Sequence, residues 1–166
     1  MDYLQSARSS LFRFEARQTY DVSSEKESFF EFLQTGKVDI STNQAWYVFL
    51  DQKTRENVHL ERIRLIARPL SAYLRFELPY HVESQKHGDN IRIIEELQFQ
   101  RLYIPTQDFW LIDNEQVLLL DYDERGKWSG FHKESNVEIY RSYKQKLVEH
   151  SDHFSPDSLE GFGPGN

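Results

Sequence analysis

The sequence predicts an α/β or α+β fold: a single mixed sheet flanked by helices, with an antiparallel meander toward the C-terminal end. Three observations carry that expectation. Helical and strand periodicities alternate through about the first hundred residues, residues 108–133 read as strand throughout, and a capped amphipathic helix follows them.

The elements follow in chain order. In "LFRFEARQTY", Leu11, Arg13 and Glu15 alternate with Phe12, Phe14 and Ala16, the period of a short strand. A helix is expected over 24–35, with Ser24 and Glu27 as a capping box, Phe29, Phe30 and Leu33 as its apolar face, and Gly36 as its left-handed stop. Trp46, Phe49 and Leu50, at helical spacing, mark a second helix over 43–57. Residues 58–67 read as a strand with Ile63 and Leu65 on one face and Arg62 and Arg64 on the other. Pro69 suits the first turn of a helix running to about residue 77, which Pro79 should end. A looser piece then leads to a strand over 90–95. Two strands flank a turn at Asn114 and Glu115, and Gly126 suits a positive-φ position before the third. The last helix takes Ser135 or Asn136 as its cap and Ile139, Tyr143 and Leu147 as its stripe. Residues 1–154 are expected to form one globular domain, and 155–166 a polar, Gly/Pro-rich tail or partner-binding strip.

Bulk composition narrows the function classes. A chain of 166 residues suffices for one domain with a real core, and its 39% hydrophobic and 28% charged content is that of a globular protein. Twelve Phe, nine Tyr and three Trp supply rings for core and interface. A net charge of −7 argues against a whole-surface nucleic-acid binder, since phosphate contacts draw on Lys and Arg. Arg141, Lys144 and Lys146 on the last helix could serve DNA binding within a regulator complex, although a solvated face explains them as well. No apolar run approaches membrane-spanning length, "MDYLQSARSSLF" has no export pattern, and cysteine is absent; together these give a cytoplasmic expectation.

Motifs for chemistry are sparse. The six histidines show no spacing that would put two imidazoles on one helix face, and no G-x-S-x-G elbow or phosphate-cradling glycine loop occurs. Asp121, Asp123 and Glu124 depart from the calcium-loop pattern and read as a hairpin turn. No metal and no cofactor are expected. The remaining constellation surrounds "ARPLSAYLRFEL". Arg64 and Arg68, with the N-terminus of the following helix, could hold an anion. Tyr73 and Glu77, four apart, share one helix side while Arg75 lies on another, and Asp108 and Asp113 bracket an apolar run containing Trp110. The same residues could instead form a structural Arg–carboxylate network fixing helix to sheet.

The strings "FRFEARQTYDVSSEKESFFEFL", "RIRLIARPLSAYLRFEL", "GDNIRII" and "DFWLIDNEQVLLLDYDERGKWSGFHKE" resemble a bacterial domain-of-unknown-function family over roughly residues 12–148. The resemblance implies gene neighbourhoods with Xre-type helix-turn-helix regulators, and it leaves the first eleven residues and the tail peculiar to this chain. A second similarity, in outline alone, is to one half of the phospholipase D superfamily, where Asp113 would match an aspartate before a turn. The His-x-Lys motif supplying that family's nucleophile is missing, because "HKE" at 132 lacks the spacer. That similarity implies an inactive site.

The function expected is therefore a non-catalytic regulatory or interaction module that binds a partner protein, such as a helix-turn-helix regulator, or a small anionic ligand. The alternative is a phosphodiesterase-like hydrolase using Asp108, Asp113 and Glu77 with an arginine clamp.

Overall fold

The computed structural model of the chain describes residues 2–155, so the tail expected beyond them lies almost wholly outside the described residues. A short helix α1 (Asp2–Gln5) precedes strand β1 (Ser10–Glu15). Helices α2 (Lys26–Thr35) and α3 (Gln44–Arg55) lead to β2 (His59–Ile66), and α4 (Ala72–Lys86) leads to β3 (Asn90–Glu95). After α5 (Glu96–Gln100) comes the meander β4 (Phe109–Ile112), β5 (Gln116–Tyr122) and β6 (Trp128–Glu134). Helix α6 (Val137–Glu149) and a two-residue strand β7 (Asp152–His153) complete the order.

All seven strands form one mixed sheet in the order β6-β5-β4-β1-β2-β3-β7, the mixed α/β architecture the sequence predicts. β1, β2 and β3 run parallel, and the remaining pairings are antiparallel. Among the described residues no helix is long and apolar enough to cross a membrane.

The two faces of the sheet differ in chemistry. One presents Phe12, Phe14, Ile63, Leu65, Phe109 and Leu111 to Tyr140 and Leu147 of α6 and Phe99 of α5, forming an apolar core. The other carries Arg13, Glu15, Arg62 and Arg64 at its centre, with Arg13 opposite Arg62 and Glu15 opposite Arg64 in the parallel ladder. Helices α2, α3 and α4 cover that second face, where Leu11, Tyr47, Leu50 and Phe76 join a second core. Both faces of β1 are thus enclosed, and all six of its residues are buried.

Several local expectations need correction. The capping box at Ser24 does not form: a 3-10 turn over Ser23–Glu25 enters α2, and Glu25 makes no side-chain cap bond. Its carboxylate accepts from the Tyr73 hydroxyl of α4 at 2.6 Å, a tertiary bond between the turn and that helix. The apolar face of α2 is formed by Phe29 and Phe32, whose rings lie 5.3 and 5.8 Å from Phe76, while Phe30 and Leu33 are 62% and 56% exposed. Gly36 does end the helix at φ 69°, as expected.

Pro79 does not stop α4, which begins three residues after Pro69 and runs on to Lys86. A proline inside a helix costs about 3 kcal/mol. Here the turns beyond it bury Tyr80, His81 and Ser84, which offsets the missing backbone bond. The β4–β5 turn centres on Asp113 and Asn114, both at positive φ, one residue earlier than expected. On α6, Asn136 caps as expected, but Tyr140 rather than Ile139 faces the core, its ring 5.0 Å from Phe109.

These assignments separate two truncations. Phe12→Ala is expected to destabilise the domain by about 3–5 kcal/mol, and Leu33→Ala to change stability by no more than about 0.5 kcal/mol, as read from denaturant midpoints.

Candidate functional site

Four charged side chains stand side by side on strands buried in the middle of a sheet, so each needs a partner within reach. Arg13 Nη2 donates to Asp108 at 2.8 Å, and its Nε lies 3.4 Å from Glu15. Arg62 donates to Glu15 at 2.7 Å and to Asp89 at 3.2 Å. Arg64, fully buried, donates to Glu77 of α4 at 2.8 Å and to the Arg17 carbonyl. Tyr20 bridges the set: its hydroxyl donates to Asp108 at 2.6 Å and accepts from Arg64 at 3.3 Å. Aromatic faces complete the solvation, with Arg13 5.3 Å over Trp110, Arg62 5.4 Å over Trp46 and Arg64 5.1 Å over Tyr20.

Above this floor, between the sheet and α2 and α4, lies a cavity of about 390 Å³. Arg13, Glu15 and Arg62 line it from the sheet; Glu25, Glu77 and His81 line it from the 3-10 turn and α4. Rings of Trp46, Tyr80, Tyr122 and the half-exposed Trp128 also line it. A second space of about 450 Å³ adjoins it and shares Arg13, Glu15, Trp46 and Arg62. Both lie in the size range of small-molecule sites.

The ionisable groups here are pushed apart. Burial disfavours the charge on Glu15, but Arg62 and Arg13 outweigh it and bring its pKa down to about 2. Burial dominates at Glu77, which is pushed up to about 7 in spite of Arg64, with Glu15 and Glu25 adding repulsion. Glu25 is also raised, by burial and against its bond from Tyr73. His81 is pushed down to about 3 by burial and by Arg62, which keeps its ring neutral. Three polar atoms on cavity-lining residues have no hydrogen-bond partner among the described residues: Arg13 Nη1, Glu15 Oε2 and His81 Nε2.

Of the residues predicted from sequence, Arg64, Tyr73, Glu77, Asp108 and Trp110 converge on this assembly, with Tyr73 and Glu77 on one helix side as expected. Arg68 stands apart on Glu95, at 2.6 Å, and Arg75 faces solvent. Asp113 sits at the far end of β4, where its carboxylate accepts from the amides of Arg8, Ser9 and Ser10 and fastens the N-terminal segment. The helix N-terminus proposed for an anion is capped by Ser71, which accepts from Leu74 N at 3.0 Å. Sequence reasoning passed over Arg13, Glu15, Tyr20, Glu25, His81 and Asp89 as site residues. The usable signal was "FRFE" beside "ERIR": charges alternating in strands flanked by apolar runs mark a polar row inside a sheet. Among the described residues no group of three or more His, Asp or Glu side chains could hold a metal ion.

Fold and site together define a mixed α/β domain with a charged, aromatic-walled cavity between its sheet and one helical layer. The chain belongs to the family described as domain of unknown function DUF6879, whose model matches residues 1–155. The match begins at residue 1, so the first eleven residues, expected to be peculiar to this chain, are part of the family domain. None of the curated proteins matches it.

Glu77 and His81 should tilt stability in opposite directions. An acid held above its unfolded value of 4.5 favours folding most at low pH and loses that contribution as pH rises toward about 7. A histidine held below 6.5 does the reverse, losing stability as pH falls from 6.5 toward about 3. Urea midpoints between about pH 4.5 and 6.5 are therefore expected to rise with pH in Glu77→Gln and to fall with pH in His81→Gln.

Proposed function

We propose that this chain is a non-catalytic binding module that receives a small ligand, or a side chain of a partner protein, in the cavity between the sheet and α4. The observation that carries this reading is the cavity itself, with about 390 Å³ of space and walls of aromatic and charged side chains. Spaces of this size that combine ring surface with a few polar groups are the usual receivers of small ligands.

Two further observations favour binding over turnover. Asp108 is committed to Arg13, Tyr20 and the Ala16 amide, and Asp113 to three backbone amides about a β-strand's length away. Of the three acids in the hydrolase alternative, only Glu77 lines the cavity. The proposed kinship with one half of the phospholipase D superfamily points the same way, since the chain carries no His-x-Lys. The Arg64–Arg68 junction is a poorer receiver for an anion, because those guanidinium groups already face Glu77 and Glu95. A regulatory setting, with an Xre-type helix-turn-helix protein as partner, belongs to this proposal and rests on the family resemblance.

A thermal-shift screen of small polar compounds tests it. Compounds that raise the melting temperature of the native protein are expected to lose their effect on Ser28→Trp, which fills the cavity from α2 and should itself stay folded. Phosphodiester hydrolysis abolished by Asp113→Asn in a folded sample would replace this reading with the hydrolytic one.

A further inference from the structure

The two edges of the sheet are finished differently. One ends in β7, whose two residues offer little for another strand to pair with. The other ends in β6, seven residues long and exposed at five of them. A bulge beside Asp121 and Tyr122 disturbs its first residues, but Gly130 to Glu134 keep regular register with β5. Phe131 on this stretch is 43% exposed, its ring edge-on to Tyr3, and Lys133 reaches 4.9 Å over the same Tyr3 ring. Open edges that carry exposed rings are sites for strand addition.

The hydrogen-bond phase of β5 decides which groups β6 offers. Leu120 N donates to Asp108 O at 3.0 Å, and Leu120 O accepts from Gln107 Nε2 at 2.6 Å. Both backbone groups of Leu120 therefore point toward the β4 side and away from β6. Phe131 opposite Leu120, and Lys133 opposite Leu118, are thus the non-hydrogen-bonded positions of the β5–β6 ladder. Their amides and carbonyls project from the open side of the sheet, where no strand pairs with them among the described residues.

We propose that this edge takes β6 of a second copy of the chain, antiparallel, across a two-fold axis at His132. Outward-pointing groups must meet outward-pointing groups, which leaves few registers. Lys133 opposite itself sets like charges together, and Phe131 opposite itself brings the bulged Ser129 against Lys133. In the remaining register, Phe131 of each copy lies opposite Lys133 of the other. Each such pair exchanges both N–H···O bonds and sets an ammonium beside a ring. On the other face His132 stands across from itself, and Glu134 lies diagonal to His132 of the other copy, an acid beside an imidazole. No like formal charges are directly opposed. This complementarity of the strand to itself favours a second copy over a foreign strand.

A contact of one short strand falls below the standard interface of about 1,600 Å², so a weak dimer is expected, with a dissociation constant on the order of 10 μM. Sedimentation of the full chain at concentrations on both sides of that value should show monomer passing to dimer. Lys133→Pro removes an amide that β5 does not use, and is expected to weaken the dimer about tenfold while the circular dichroism spectrum stays native. The absence of cysteine gives a second readout. A non-hydrogen-bonded pair on the axis has Cα atoms about 4.5 Å apart, within disulfide reach, so His132→Cys is expected to form covalent dimers on mild oxidation. Lys133→Cys, which faces Phe131, is expected to cross-link about tenfold more slowly. A monomer at every concentration overturns the proposal and leaves the edge to a strand from another protein. A dimer that a folded Lys133→Pro leaves intact, or that His132→Cys fails to cross-link, has its interface elsewhere and overturns the proposal too. If the proline variant loses its native spectrum, the two cysteine variants decide.

Discussion

Everything in this fold is arranged around a row of ions in the middle of a sheet. Arg13 and Glu15 on β1 stand directly beside Arg62 and Arg64 on β2, in strands closed on both faces. Isolated charges at such depth would be prohibitive, so the chain brings acids to them from three directions. Asp108 comes from the approach to β4, Asp89 from the approach to β3 and Glu77 from α4. Each contact also fixes an element. The Arg64–Glu77 bond holds α4 to the sheet, and the Arg13–Asp108 bond sets where the meander joins β1. Packing on the opposite face needs no such matching, because Phe12, Phe14, Phe109 and Leu111 meet α6 through apolar surface alone. The two faces are thus held by different physics, one by directional pairing and the other by burial.

The cavity follows from that pairing. Guanidinium groups held over the rings of Trp110, Trp46 and Tyr20 occupy the floor, and the space lies above them. Burial then sorts the acids by the number of cations each one sees. Glu15, between two arginines, stays ionised, whereas Glu25 and Glu77 hold their protons more tightly. A solvent-facing cluster of the same composition would show little of this spread, since water would screen each charge from the next.

Much of the fold was legible because it rests on local patterns. Strand alternation in β1, β2 and β3, the left-handed stop at Gly36 and the cap at Asn136 all depend on residues a few positions apart. Expectations failed where a distant partner outbid a local rule. The Ser24–Glu27 box gave way to a 3-10 turn whose Glu25 is bonded by Tyr73 of α4, and α4 passed through Pro79 because the next turns had a core to reach. The site was half legible for the same reason. Tyr73 and Glu77 announced themselves by helical spacing, but nothing in the neighbourhood of Arg13 reveals that its acid lies 95 residues further on. The arginines that suggested an anion do not gather either: Arg64 is held by Glu77 and Arg68 stands apart on Glu95.

The strand order carries a consequence for how the chain reaches its native state. β1 is made first, yet it ends in the centre of the sheet, parallel to β2 on one side and antiparallel to β4 on the other. Its second neighbour is supplied only after β3 and α5 have been laid down, so Arg13 waits for its aspartate while most of the domain is synthesised. Closing that contact gathers a long loop at once, a non-local step that slows assembly. The first strand of the domain thus stands 95 residues ahead of the carboxylate that its arginine needs.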